Sequence, residues 1–126
     1  MELREFDVCV YGATGFTGQR ICKYLFEEHP EISVLVCGRN GDKLNALMKA
    51  YAADSKLNAR VCVAAADQSE ALCAAFGQCR VVLNAAGPYR YTGLNIIQAA
   101  ISSGTHYLDL CGEPEFFDRA LLAFDH

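Results

Sequence analysis

Short apolar segments alternate with longer segments of helical periodicity along the whole chain, and this alternation constrains the fold more than any other feature of the sequence. Each apolar segment has the length of a β-strand and is apolar on both faces, as strands covered on two sides must be. Strands that alternate with helices through short turns form right-handed βαβ crossovers and therefore a parallel sheet. The predicted strands are 6–11, 33–37, 60–65, 80–86 and 106–111.

The segments between these strands place apolar residues at positions i, i+3, i+4 and i+7, so that each forms one stripe able to pack on a sheet. A further helix begins near Asp67, whose spacing from Glu70 resembles a capping box, and Pro114 suits the first turn of the last helix. We predict an α/β, Rossmann-like, doubly wound parallel sheet of order 3-2-1-4-5, in a single domain over residues 1–126. The stripes are Gly18, Ile21, Cys22 and Leu25; Leu44, Leu47, Met48 and Tyr51; Gly93, Ile96, Ile97 and Ala100; and Phe117, Ala120, Leu121 and Phe124.

Composition excludes several classes of function. The chain has 126 residues, enough for one domain, and a formal net charge of −4, which offers no electrostatic footprint for nucleic acid. No apolar run reaches the roughly 18 to 20 residues of a membrane-spanning helix. The seven cysteines are odd in number and contain no Cys-x-x-Cys pair. This usage predicts reduced thiols buried in the core and a reducing, intracellular, cytoplasmic compartment.

A glycine-rich turn follows the first predicted strand and opens the first helix. Its residues are Gly12, Ala13, Thr14, Gly15, Phe16, Thr17 and Gly18, in the pattern G-x-x-G-x-x-G. Glycines permit a positive φ and a close approach of the backbone to a ligand, and the free N–H groups of a helix start attract a pyrophosphate. Gly18 also lies on the packing stripe, where it allows the helix to approach the first strand. We predict a dinucleotide site here; the alternative is a tight turn without a ligand.

The second strand is followed by Gly38 and Arg39, where an NAD-binding domain usually carries an acid that holds the ribose 2′-hydroxyl. A guanidinium cannot accept a hydrogen bond from that hydroxyl, but it can hold a 2′-phosphate. Gly38 leaves space for this group, and Lys43 adds a second positive charge one turn into the next helix. The pattern favours NADP(H) over NAD(H), against the alternative of a solvated surface arginine.

Two further strand ends carry candidate residues. Asp67 follows the third strand, where it contacts the adenine edge, caps the following helix, or does both. Tyr89 lines the nicotinamide side, or is an exposed aromatic residue that packs on a missing domain. The turn after the fourth strand consists of small residues that let the chain pass close to the cofactor ribose: Asn84, Ala85, Ala86 and Gly87. Because the carboxyl ends of parallel strands meet at one edge, all these residues are expected to share one crevice.

The sequence shows no convincing catalytic machinery beside these cofactor residues. No tyrosine is followed by lysine four positions later, and neither His29, His106 nor His126 is expected at the crevice. Cys111 lacks a basic partner that would lower its pKa. We therefore predict no catalytic residue and no metal site within this chain, which binds a dinucleotide without turning over a substrate.

The quoted motifs together resemble the saccharopine dehydrogenase-like oxidoreductase family, which includes trans-acting enoyl reductases of lipid synthesis. The match rests on residues 10–18, 37–40, 84–89 and 104–114, and the last two segments are the more specific to this family. The resemblance implies an N-terminal NAD(P)-binding domain, a substrate and dimerisation domain beyond residue 126, and an association with lipid droplets or mitochondria. Two alternatives remain: the N-terminal domain of a semialdehyde dehydrogenase or acyl-phosphate reductase, and a non-catalytic NADP sensor or scaffold.

Overall fold

The computed structural model describes residues 4–51, 56–110 and 114–124. Within these residues, strands and helices alternate as the sequence predicts. Cys111 lies outside the described residues. No helix in this part of the chain is both long enough and apolar enough to cross a bilayer. The elements are β1 (Phe6–Tyr11), α1 (Phe16–Glu28), β2 (Val34–Gly38), α2 (Gly41–Lys49), β3 (Ala59–Val63), α3 (Ser69–Phe76), β4 (Cys79–Asn84), α4 (Tyr89–Ser103), β5 (His106–Asp109) and α5 (Pro114–Phe124).

The sheet has the order β3-β2-β1-β4-β5, with every neighbouring pair parallel, which confirms the predicted topology. β3 and β4 end two residues earlier than predicted, at Val63 and Asn84. The reason is visible after β4, where the backbone N–H of Ala86 donates to Asn84 Oδ1 at 3.0 Å instead of continuing the ladder. The residues beyond β4 therefore turn away from the ladder at this edge of the sheet.

Helices cover the sheet on two sides and create two apolar clusters. One contains Leu35, Phe76 and Ile96, and the other contains Val36 and Leu44. The predicted stripes of α2 and α4 are confirmed by the complete burial of Leu44 and Ile96. In α1 the stripe is rotated, because Gly18, Cys22 and Phe26 are the buried residues rather than Ile21 and Leu25.

Ile21 and Leu25 instead line a groove between α1 and the middle of the sheet. This groove has a volume of about 580 Å³, and Val81 and Leu83 of β4 form its floor. Nearby on β5, Leu108 is exposed. The groove is almost entirely apolar, so it lacks the convergent polar groups expected of a nucleotide site.

An arginine ties together the amino ends of three strands. The Arg4 guanidinium lies just before β1 and donates to the Gly77 carbonyl at 2.6 Å, ahead of β4. It also donates to Thr105 Oγ1 at 3.3 Å and to the Ser103 carbonyl at 3.2 Å, both ahead of β5. Two of these acceptors are backbone carbonyl oxygens and one is a hydroxyl oxygen; they belong to the segment between α3 and β4 and to the segment where α4 ends and β5 follows. We call this set of contacts the Arg4 clamp.

The six described cysteines are free thiols, and Cys22 is completely buried. Burial raises the pKa of the Cys22 thiol to about 12. Since the thiolate is the form that reacts, we expect native protein to be alkylated at partly buried Cys73 before completely buried Cys22 at neutral pH. In denaturant without reductant, mass spectrometry should find all seven cysteines of the sequence alkylated. Unlabelled cysteine pairs that label only after reduction would contradict this prediction.

Candidate functional site

A crevice of about 930 Å³ runs along the carboxyl ends of the strands, within the range of volumes that hold small-molecule ligands. The turns after β1, β2, β3 and β4 form it together with the start of α4. This is the switch point of the strand order, where ligands bind in open α/β sheets. Its lining residues are Tyr11, Gly12, Thr14, Gly15, Phe16, Thr17, Gly38, Arg39, Ala65, Ala66, Asp67, Ala85, Ala86, Gly87, Pro88, Tyr91, Thr92 and Asn95.

Steric requirements explain two of the three glycines in the turn after β1. Gly12 has a φ of +78°, and a Cβ there would lie 2.8 Å from the backbone of Ala86. A Cβ at Gly18 would lie 2.1 Å from the Gly12 carbonyl oxygen, so the turn can pack on α1 at this distance because residue 18 has no side chain. Gly15 has an ordinary φ of −73°. A Cβ on Gly15 would lie 3.4 Å from the Gly12 oxygen, a normal contact.

The start of α1 faces the crevice with an electrostatic bias towards anions. Gly15 is its N-cap, no described side chain caps its first turn, and that turn contains no acidic residue. The start of α4, after Pro88, has the same two properties within the described residues. By contrast, α2 is capped by Asn40 and carries Asp42 in its first turn. The unused N–H groups and helix dipole at α1 are suited to a phosphate group.

Arg39 lies at the end of β2, where it is exposed and lines the crevice beside Gly38. No described residue forms an ion pair with its guanidinium, which leaves those donors available to an anion. Lys43 is exposed on the first turn of α2 but is not part of the crevice wall. Its backbone N–H donates to Asn40 Oδ1 at 3.1 Å, which fixes the start of that helix. The structure therefore brings Arg39 to the crevice and leaves Lys43 outside it.

Asp67 is exposed in the crevice after β3. The interpretation of Asp67 as a helix cap is wrong, because α3 begins at Ser69 and its N-cap is Gln68. The side chain of Gln68 turns back instead, and its Oε1 accepts a hydrogen bond from the Ala65 N–H at 2.8 Å. The carboxylate of Asp67 is therefore not engaged in capping and faces the crevice.

Four of the predicted site residues lie behind the crevice wall rather than in it. Ala13 and Asn84 are completely buried, and Gly18 is packed under the glycine turn. Tyr89 is only 8% exposed, so its interpretation as an exposed aromatic residue is wrong. Its hydroxyl donates to the Asn84 carbonyl at 2.9 Å, which leaves the wall to Ala85, Ala86 and Gly87.

Sequence reasoning missed residues on the first turns of α4 and one on β1. Tyr91, Thr92 and Asn95 line the crevice, and Tyr91 is 70% exposed. They lie on the polar side of α4, opposite the apolar stripe, where a polar residue is ordinarily taken to face solvent. Tyr11 was assigned only to its strand, but its hydroxyl donates to the Ala64 carbonyl at 2.9 Å at the crevice edge. Burial raises the pKa of Tyr11, so this donor stays protonated.

Residues 8–123 match the family described as "Saccharopine dehydrogenase NADP binding domain". The chain belongs to this family. The saccharopine dehydrogenase NADP-binding domain family is characterised by dinucleotide binding, and the match spans β1 to α5, including the whole crevice. The sequence-based resemblance is thereby confirmed, and a semialdehyde dehydrogenase is not the family to which this chain belongs.

Relatives of this NADP-binding domain include proteins from animals and bacteria. It is 34% identical over 122 residues to "Lipid droplet localized protein" of Caenorhabditis elegans, covering 93% of this chain and 29% of that protein. It is 38% identical over 116 residues to "Trans-acting enoyl reductase" of Mycobacterium leprae, covering 90% and 27%. It is 34% identical over 128 residues to "Saccharopine dehydrogenase-like oxidoreductase" of Mus musculus, covering 93% and 30%. The chain thus spans less than a third of each of these relatives.

Solved structures support the fold of this NADP-binding domain. The apo saccharopine dehydrogenase (L-Glu forming) of Saccharomyces cerevisiae matches with a TM-score of 0.69 and 20% identity, over 90% of this chain and 23% of that chain. The protein AtPrR2, solved with NADP+ and (+)pinoresinol, matches with a TM-score of 0.67 and 20% identity, over 98% and 46%. At these identities the likeness establishes the Rossmann-like fold.

Proposed function

We propose that this chain binds NADP(H) in the crevice and forms the N-terminal domain of a longer, two-domain oxidoreductase. The observation that carries the proposal is the position of Arg39, which lines the same crevice as the glycine turn and the uncapped start of α1. The family match supports it independently, because its description names an NADP-binding domain.

The crevice offers a separate environment for each part of the dinucleotide. The pyrophosphate is expected at the start of α1, over Gly15, Phe16 and Thr17, where backbone N–H groups and the helix dipole favour negative charge. At the end of β2, Arg39 is expected to hold the 2′-phosphate by charge-assisted hydrogen bonds. The carboxylate of Asp67, which follows the neighbouring strand β3 and also lines the crevice, is expected to accept a hydrogen bond from the adenine amino group.

The nicotinamide half is expected at the other end of the crevice, along Ala85, Ala86 and Gly87. Small side chains there permit close contact with the ribose. Bound NADP(H) would supply hydride transfer, while the residues of this chain bind it, orient it and exclude water on one side. The substrate and the proton donor are assigned by this proposal to the part of the protein beyond the chain.

The full-length protein is proposed to transfer hydride to or from a lipid-related substrate in a reducing, cytoplasmic environment, as a homodimer. Support comes from relatives whose names refer to a lipid droplet and to an enoyl reductase. A family member kept as a non-catalytic NADP sensor is the alternative, since such a protein would retain the same crevice. Turnover by the full-length protein separates the two.

Calorimetric titration of the chain with NADPH and NADH tests the proposed cofactor. A charge-assisted hydrogen bond contributes about 1.5 to 3 kcal/mol, which corresponds to roughly a ten- to hundred-fold preference for NADPH. The preference should decrease as salt is added, because Arg39 is exposed. Equal affinities would leave Arg39 as a solvated surface residue, and steady NADPH oxidation by this chain alone would place a catalytic group inside it.

A further inference from the structure

We propose that Tyr107 is a positioning residue for the dinucleotide, acting through Asn84 to fix Ala86 in the crevice wall where the nicotinamide half is expected. Tyr107 and Asp109 are on β5 and take no part in lining the crevice. The proposal deepens the proposed function and rests on it, since it concerns how one end of the same crevice is held for the same ligand.

A continuous chain of hydrogen bonds links β5 to the crevice wall. The Tyr107 hydroxyl donates to Asp109 Oδ2 at 2.7 Å. The same hydroxyl accepts from Asn84 Nδ2 at 3.1 Å. Asn84 Oδ1 then accepts from the Ala86 N–H at 3.0 Å. The Tyr107 hydroxyl donates in one bond and accepts in the next, and Asn84 uses its nitrogen for one partner and its oxygen for the other. The chain therefore runs without a break from the carboxylate on β5 to the backbone of Ala86.

The direction of these bonds sets the orientation of the buried amide. Burial raises the pKa of Tyr107, so its phenol keeps its single proton. The phenol donates this proton in its hydrogen bond to Asp109. In any further hydrogen bond the phenol oxygen can therefore only be the acceptor. Asn84 must therefore turn its NH₂ group to Tyr107 and its oxygen to Ala86. Because Asn84 is completely buried, water cannot replace either partner at low cost.

The position of Ala86 matters because this residue touches the glycine turn. A Cβ built on Gly12 would lie 2.8 Å from the Ala86 N, Cα and Cβ atoms, so the two turns are in close backbone contact. On the preceding residue, the Ala85 N–H donates to the Tyr11 carbonyl at 2.8 Å. Movement of Ala86 would change the width of the crevice between the turns after β1 and β4. Arg39 and Asp67, at the other end, come from β2 and β3 and are not held by this chain of bonds.

The test compares two ligands on one variant. Tyr107→Phe keeps the ring and removes the hydroxyl, and both NADPH and adenosine 2′,5′-bisphosphate are titrated by calorimetry. The bisphosphate carries the adenosine, the 2′-phosphate and one 5′-phosphate, but no nicotinamide ribose. We expect NADPH affinity to fall about tenfold, the scale of leaving a buried polar group without its partner, and bisphosphate affinity to stay within about twofold. Amide signals of Ala86 and Gly12 should shift in two-dimensional NMR spectra.

Tyr24→Phe is the matched control, because it removes a hydroxyl that bonds His29 at 3.2 Å near the end of α1 remote from the crevice. It should leave both affinities unchanged. If Tyr107→Phe does not fold, Asp109→Asn replaces it, with a smaller loss in the same direction expected. Unchanged NADPH affinity, or an equal loss for both ligands, would overturn the proposal. Failure of the unsubstituted chain to bind either ligand would instead overturn the proposed function.

Discussion

Arg39→Asp is expected to invert the cofactor preference, so that the variant binds NADH more tightly than NADPH. The substitution removes the cation expected to hold the 2′-phosphate and introduces a carboxylate that repels it. The same carboxylate can accept hydrogen bonds from the ribose hydroxyls of NADH, as the acid at this place does in NAD-binding domains. Removing the charge-assisted bond alone is expected to weaken NADPH binding by about ten- to a hundred-fold, and repulsion adds to that loss.

Calorimetric titration of wild type and variant with both cofactors measures this inversion. Lys49→Asp is the matched control, since it makes the same change in net charge at the opposite end of α2 from the Asn40 cap. Its preference should remain that of the wild type at equal salt. A variant at position 39 that still prefers NADPH would show that the selectivity resides elsewhere in the crevice.

Gly18→Ala is expected to destabilise the fold by roughly 3 kcal/mol or more, the upper range for overpacking a close contact. The added Cβ would lie 2.1 Å from the Gly12 carbonyl oxygen and 2.8 Å from the Ala13 Cα. Both are backbone atoms of the glycine turn, so relief requires α1 to move away from that turn. That movement would also displace the start of α1, and dinucleotide binding is expected to be lost with the stability.

Urea unfolding followed by circular dichroism gives the free energy of unfolding for this comparison. Gly87→Ala is the control for stability, because a Cβ at Gly87 meets no atom of the described residues within 4 Å. It should unfold within about 1 kcal/mol of the wild type. Equal midpoints for Gly18→Ala and the wild type would mean that α1 does not need its close approach to the glycine turn.

The topology could be predicted from the sequence because it depends on a pattern spread over the whole chain. Alternating apolar strands and amphipathic helices leave few arrangements once crossovers must be right-handed. The glycine turn could also be predicted from the sequence, since it depends only on residues that are adjacent in the chain. What the pattern could not supply is the residue at which each helix begins. Because a helix turns by about 100° per residue, a start at Tyr89 directs that side chain inwards and brings Tyr91 to the crevice.

Helix caps and buried polar contacts were the other features that the sequence could not predict. The spacing of Asp67 from Glu70 predicts a cap at Asp67, but α3 begins one residue later, with Gln68 as its N-cap and the Gln68 side chain accepting a hydrogen bond from the Ala65 N–H. The partnership of Asn84 with Tyr107 joins residues on neighbouring strands, 23 positions apart. Neither the residue types nor their spacing in the sequence predicts this contact, because it forms only when β4 and β5 pair in the observed register.

The Arg4 clamp and the crevice lie at opposite ends of the strands. One arginine gathers the loops before β4 and β5 at the amino ends, while the turns that line the crevice leave from the carboxyl ends. Parallel strands keep these ends a full strand length apart, and α4 connects them, since its first turns line the crevice and the carbonyl of its last residue, Ser103, accepts a hydrogen bond from Arg4. The residues that bond Arg4 are nevertheless different from those that line the crevice, so the anchoring of the loops and the recognition of a ligand depend on separate positions in the sequence.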